Sequence, residues 1–272
     1  MVRRPGGNGG WEYLLLHRAY RGPDYAGDWA WTPPSGARLP GEPVLAGALR
    51  ELKEEAGISC AEPVPVDLSG PWAIFLAEVP ARTQVRLDAE HDGFGWVLEA
   101  EAMTRCRPAS VAAGVAVAAA VPRHNVAFRQ HGSGIDGIAP VQVHVVLVAG
   151  RPCGFIEHYP VGGLAPDGPT AAGLCFRTGI AGRSGKDLAT QLIWAYLVQV
   201  VAPRWPRLKT VLASPDAADP RSIRALEKAG FRPAAANVPA ARPAGPRPGP
   251  AGPGQPELSF VLDRLHMLGP NG

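Results

Sequence analysis

From Gly36 to Ile58 the chain reads G-ARLPG-E-PVLAGAL-R-E-L-K-E-E-A-G-I, and this run limits the fold more than any other stretch of the 272 residues. Gly36, Glu42, Arg50, Glu51, Glu54, Glu55 and Gly57 hold fixed spacings. At roughly 6% per position, seven such residues coincide by chance on the order of once in 10⁸–10⁹ starts. The pattern predicts an amphipathic helix over Pro43–Ala56. On it Glu51, Glu54 and Glu55 fall at i, i+3 and i+4 and share a face. Leu45, Leu49, Leu52 and Ala56 fall on the opposite one. Three neighbouring carboxylates repel one another unless a hard divalent cation sits among them. A solvated Glu-rich face is the ordinary reading of E-x-x-E-E, but it needs neither Gly36 nor Arg50, so the spacing favours metal.

The run fills every slot of the Nudix box, and residues 1–121 resemble the Nudix hydrolases. The resemblance implies an α/β/α sandwich. It also implies that Glu51, Glu54, Glu55 and the Gly36 carbonyl hold Mg²⁺ or Mn²⁺, with Arg50 orienting the carboxylates. The stretch Glu90-His91-Asp92-Gly93-Phe94-Gly95-Trp96 looks like the family's E-H…W segment. Glu90 then either reaches the metals or activates water, or it is an exposed loop acid. The implied catalytic set is Glu54, Glu90 and Arg50. The implied reaction is hydrolysis of a phosphoanhydride bond in a nucleoside diphosphate linked to X: cations neutralise diphosphate oxygens, a carboxylate takes the proton of water, and a nucleoside monophosphate leaves. Trp29 and Trp31 either stack on a base or pack into the core. Only Met1–Arg4 precede the Gly-rich turn before Trp11, so the fold's first strand is expected to be mostly absent, as if the start were truncated.

Length argues for two domains. Residues 1–121 carry 11 Lys+Arg against 15 Asp+Glu, a balance of −4, and residues 122–272 carry 16 against 9, a balance of +7. The arginines of the second half are scattered, so nucleic acid is not an expected partner. Cys60, Cys106, Cys153 and Cys175 form no C-x-x-C pair, which fits a reducing cytoplasm. No apolar run suits a leader or a membrane span.

Strands are expected at Glu12–His17, Pro71–Val79 and Phe94–Leu98, then an Ala-rich helix over Ala109–Val121 that Pro122 ends. The domain boundary is placed there, giving domains of 1–121 and 122–272. Val141–Val148 and Cys153–Tyr159 read as a hairpin around the turn Ala149-Gly150-Arg151-Pro152. A helix is expected over Lys186–Val201, a strand at Lys209–Ala213, a helix over Pro220–Ala229 closed by Gly230, and a last strand at Glu257–Leu262. Residues 233–256 are Pro-, Ala- and Gly-rich and read as a disordered insertion.

Within the second half VVLVAGRPCGFIEHY, SGKDLATQLI and RSIRALEKAGFRP resemble the GNAT acetyltransferases, in their aminoglycoside 6′-N-acetyltransferase and siderophore-lysine acyltransferase branch. The fold class is thus α+β in two domains, the second a truncated GNAT-like mixed sheet with helices. The resemblance implies an acetyl-CoA pyrophosphate site at Gly185, Lys186, Ala189 and Thr190, beside Leu188. Asp187 replaces a glycine there and would repel phosphate, although an acid in a first helical turn also has an ordinary macrodipole explanation. Cys175 stands for an acidic residue, Asp219 for Asn and Leu226 for Tyr, which removes a base and a proton donor. About 20 residues between Val121 and Val141 are expected to replace the strand and two helices of the acceptor wall. Three readings stay open: a Nudix hydrolase fused to a degraded or repurposed GNAT-like module, a bifunctional hydrolase and N-acetyltransferase, or a nucleotide sensor that does not cleave.

Overall fold

The computed structural model describes residues 1–7, 9–59, 62–134, 141–162, 168–178, 187–215, 219–234 and 259–263. Two compact units emerge, Met1–Val66 with Trp72–Pro122, and Asp67–Pro71 with Arg123–Gly272. The first holds β1 (Val2–Pro5), β2 (Trp11–Arg18), β3 (Trp31–Thr32), α1 (Val44–Ala56), β4 (Val64–Asp67), β5 (Ile74–Glu78), β6 (His91–Leu98), α2 (Glu99–Arg105) and α3 (Ala109–Ala119). Among the described residues its sheet runs β3-β2-β1-β5-β4, and β6 also pairs with β2.

Alternation along β2 builds the layers. Leu14 and Leu16 pack with Val2 and Ala77 against Leu52 and Ala56 of α1. Tyr13 and Leu15 pack with Val97 against Ala102 of α2 and Val115 of α3. The result is an α/β/α sandwich.

The first strand, expected to be mostly absent, is present and central. β1 pairs antiparallel with β2, Arg3 opposite Tyr13, and parallel with β5, Val2 opposite Ala77. Its sequence VRRP reads as polar, yet Arg3 is buried. The Arg3 guanidinium donates to Glu78 at 2.6 and 3.1 Å and to the Val121 carbonyl at 3.3 Å, and it lies 4.2 Å from the Trp11 ring centre. A charge so paired can occupy an interior strand.

The second unit holds β7 (Val126–Gly134), β8 (Val141–Val148), β9 (Arg151–Val161), β10 (Ala171–Thr178), α4 (Leu188–Tyr196), α5 (Ala202–Arg204), β11 (Thr210–Ala213), α6 (Pro220–Lys228), β12 (Arg232–Pro233) and β13 (Phe260–Asp263). A π-helical turn, Leu197–Val201, joins α4 to α5. Among the described residues the sheet order is β12-β13-β11-β10-β9-β8-β7, and β10 pairs parallel with β11 while the other neighbours pair antiparallel. The sheet is mixed, as expected.

Two expectations need correction here. A strand does lie between Val121 and Val141: β7 pairs antiparallel with β8 from Val126 opposite Val148 to Gly134 opposite Val141. Its segment VAFRQHGSG lacks clean alternation, which hid it. The hairpin turn is shorter than expected, because only Ala149 and Gly150 take positive φ, at 47° and 75°, while Arg151 and Pro152 already belong to β9. Two consecutive left-handed residues match the twist of paired strands.

Pro233 closes β12 and the Ala234 amide donates to the Ser259 carbonyl at 2.8 Å, so the expected insertion does not include these two residues, and the rest of it, residues 235–256, lies outside the described residues. Between sheet and helix, Tyr196 Oη sits 2.8 Å from His144 Nδ1 and 2.7 Å from His158 Nδ1, all three groups buried. Burial, the nearby His144 and Arg204 hold the His158 imidazole down to about 4. No helix among the described residues is long and apolar enough to cross a membrane.

Candidate functional site

The helix α1 starts after Pro43 and stops at Gly57, whose φ of 66° suits a glycine and ends the helix in a left-handed turn. The three glutamates share a region of α1 but not an environment. Glu54 has 57% of its side chain exposed, Glu51 16% and Glu55 6%. Glu55 is therefore buried beside Leu52 and Ala56 rather than opposite them, and Leu45 and Leu49 are only half-buried. The i+4 step from Glu51 turns Glu55 toward the sheet.

Arg50 organises the cluster. Its guanidinium donates to Glu42 at 2.9 and 3.0 Å, to Glu51 at 2.8 Å, to Glu54 at 2.9 Å and to the Ala37 carbonyl at 3.0 Å. Glu42 belongs to the box but had no assigned role. Hydrogen bonds from Arg50, followed by the Leu39 amide, hold its carboxyl down to about 2. The same partners raise Arg50, Glu42 foremost and then Glu51 and Glu54.

Gly36 lies against Glu51 so closely that a Cβ at this position would meet the Glu51 carboxyl carbon at 2.0 Å. No side chain larger than hydrogen fits without moving that carboxylate. One residue earlier, the Ser35 amide donates to Glu55 Oε2 at 2.7 Å. Burial pushes the Glu55 carboxyl up to about 7, opposed by the Ser35 amide and reinforced by the charge of Glu51.

Among the described residues no three His, Cys, Asp or Glu side chains already stand around one point as a metal cage. Glu51 and Glu54 face Arg50, and Glu55 faces Ser35. The donor set nevertheless suits a hard cation, being carboxylate and carbonyl oxygen throughout, and Gly36 leaves the cradle that the Glu51 carboxylate fills.

Glu90 is not brought to this cluster. Its side chain is 70% exposed and its nearest charge is Arg18, at 3.9 Å. The neighbouring His91 is buried instead, 2.8 Å from Asp88 and 3.9 Å from Glu55. A bulge in the pairing explains the exchange, since His17 stands opposite Gly93 and Arg18 opposite His91, leaving Asp92 as the extra residue. Trp31 is half-buried against His17, with ring centres 4.8 Å apart, whereas Trp29 is 40% exposed and 6.3 Å from Trp72.

In the second unit Gly185 and Lys186 lie outside the described residues, and Thr190 is buried. Asp187 precedes α4 with φ 59°, the left-handed region where glycine is at ease, and makes no capping hydrogen bond. Lys228 of α6 instead donates to Asp187 Oδ1 at 2.5 Å. Cys175 is half-buried opposite Glu157, and Leu226 is fully buried. Asp219 caps α6 by accepting from the Arg221 and Ser222 amides, a role that Asn fills equally well.

Residues 2–115 match the family model described as NUDIX domain. They form a NUDIX domain. Its box is the α1 cluster just described. Over 99 residues the chain is 34% identical to an asymmetrical bis(5′-nucleosyl)-tetraphosphatase of Sus scrofa, a match that covers 32% of this chain. The match spans 63% of that relative, just under two thirds of its length. A Caenorhabditis elegans Ap4A hydrolase binary complex is 28% identical over 43% of this chain and 88% of its own, with a TM-score of 0.34. An aminoglycoside acetyltransferase in complex with coenzyme A is 24% identical over 46% and 68%, with a TM-score of 0.35.

Proposed function

We propose that the NUDIX domain is a Mg²⁺- or Mn²⁺-dependent pyrophosphohydrolase acting on a nucleoside diphosphate linked to X, dinucleoside polyphosphates included. The observation that carries this is the α1 cluster: Arg50 ties Glu42, Glu51 and Glu54 together, and Gly36 admits the Glu51 carboxylate. The similarity to the Sus scrofa tetraphosphatase supports the substrate class.

Glu51, Glu54, Glu55 and the Gly36 carbonyl would hold the cation. Bound there, it supplies charge neutralisation at phosphate oxygens and acidifies water. Arg50 aims Glu51 and Glu54 through its hydrogen bonds to both. The attacking water gives its proton to a carboxylate; Glu54, the most exposed of the three, has the freest access to it. Glu90 takes a secondary place, in view of its exposure.

For the second unit we propose a GNAT-like fold that does not bind acetyl-CoA usefully. Asp187, buried and joined to Lys228, supports this reading. The decisive assay sets the full chain, with Mg²⁺ or Mn²⁺, against nucleoside diphosphate sugars, dinucleotides and diadenosine tetraphosphate, with products separated by chromatography. Release of a nucleoside mono- or polyphosphate from at least one compound is expected. No cleavage of any would overturn the hydrolase and leave the sensor.

A further inference from the structure

His91 opens β6 and has a fully buried side chain. Its ring is oriented from one side, where Nδ1 lies 2.8 Å from Asp88 Oδ1. Its other nitrogen, Nε2, is buried without a hydrogen-bond partner among the described residues. The nearest carboxylate oxygen to it among the ion-pair contacts is Glu55 Oε1, 3.9 Å away, beyond hydrogen-bond range. The two oxygens of Glu55 are thus divided: Oε2 accepts from the Ser35 amide, while Oε1 faces His91.

The bulge at Asp92 makes this arrangement. Directly opposed residues of antiparallel strands point to the same face. Arg18 continues the face of Leu14 and Leu16, the face that packs on α1, and His91 stands opposite Arg18. With regular pairing Asp92 would occupy that place and His91 would face the other layer. One inserted residue therefore trades an acid for an imidazole at the buried side of Glu55.

We infer that His91 is a positioning residue for Glu55, an inference that rests on the metal-site reading above. Nδ1 lies on the Asp88 carboxyl group and Nε2 faces Glu55 Oε1, so the ring spans the space between the two carboxyl groups. A small rotation of either side chain closes the gap, and Ser35 and His91 together fix the Glu55 carboxylate from two sides. Partners of this kind around a ligand carboxylate typically change metal affinity 10–100-fold when removed.

The test measures Mn²⁺ affinity of the full chain by electron paramagnetic resonance, alongside thermal melting and the kcat–KM split. His91→Phe should weaken Mn²⁺ binding by at least about tenfold and lower kcat with little change in KM. His91→Gln, which keeps a donor, should recover most of the affinity. Asp88→Ala, at a partly exposed position, should give an intermediate loss and serves if His91→Phe melts early. Wild-type Mn²⁺ affinity in both His91→Phe and Asp88→Ala would overturn the inference alone. Absence of Mn²⁺ binding by the wild type would overturn the metal-site reading, and this inference with it.

Discussion

The start of α4 and the middle of α1 both place carboxylates where phosphate chemistry is expected, and they treat them differently. On α1 the glutamates grade from exposed to buried, and their counter-charge, Arg50, is shared among four acceptor groups. At α4 a single aspartate is buried and held at 2.5 Å by a single lysine. On α1 one cation is divided among several acceptors, whereas Lys228 engages Asp187 Oδ1 and leaves Oδ2 buried without a partner among the described residues. Both places hold carboxylates, and they differ in exposure and in how many groups share the counter-charge.

The largest effects should come from breaking the α1 cluster. Glu54→Gln or Glu55→Gln should lower kcat at saturating metal by at least about 10²-fold, as expected where charge neutralisation and activated water are lost. Gly36→Ala, which forces the Glu51 carboxylate aside, belongs in the same class. Steady-state kinetics decide, and near-wild-type turnover in any of the three removes that position from the site.

Breaking the Asp187–Lys228 pair at α4 should have a smaller effect and act on binding. If the Asp187 carboxylate repels pyrophosphate, Asp187→Gly should improve acetyl-CoA binding by about 1–4 kcal/mol, the span between water and an effective dielectric of 20 at contact distance. Calorimetry reads this directly. Micromolar binding by the wild type, near −8 kcal/mol, would restore the bifunctional reading.

The two units should also respond to acid in opposite directions. A Glu55 carboxyl raised to about 7 binds more protons folded than unfolded, so its contribution to stability falls as pH rises from about 4.5 to 7. A His158 imidazole lowered to about 4 binds fewer protons folded, so its contribution falls as pH drops from about 6.5 to 4. Each slope is bounded by about 1.4 kcal/mol per pH unit. Melting of metal-free wild type minus Glu55→Gln, and minus His158→Gln, across pH 4.5–7 should give differences whose slopes with pH have opposite signs. Equal signs would contradict the assigned environments.

The smallest effect is reserved for Glu90→Gln, which should lower kcat less than about tenfold with KM unchanged, in keeping with its exposure. A loss matching the helix glutamates would mean that the loop carries Glu90 inward during turnover.

What could be read from the chain in advance follows from periodicity. Helical spacing gave α1, α3 and α6, and turn residues gave the β8–β9 hairpin. Two strands were missed or denied: β1 buries Arg3, which finds Glu78 and Trp11, and β7 follows Phe128 with the polar run Arg129, Gln130 and His131 while pairing along β8. Those partners are remote in sequence, so no local pattern announces them. The site divides the same way. The box located Arg50 and the three glutamates, but their unequal burial depends on the sheet beneath α1. Glu90 was preferred to His91 because a one-residue bulge, silent in sequence, reverses which of two neighbours faces inward.

The central claim is that the α1 carboxylates act with a divalent cation to hydrolyse a phosphoanhydride. Its most direct test strips the full chain of metal with a chelator, then adds back Mg²⁺ or Mn²⁺ in steps while product release is followed for wild type and Glu54→Gln. The account predicts no turnover without metal, saturable recovery in the wild type, and a ceiling at least about 10²-fold lower in the variant. Turnover that survives chelation, or equal recovery in the two proteins, would contradict it.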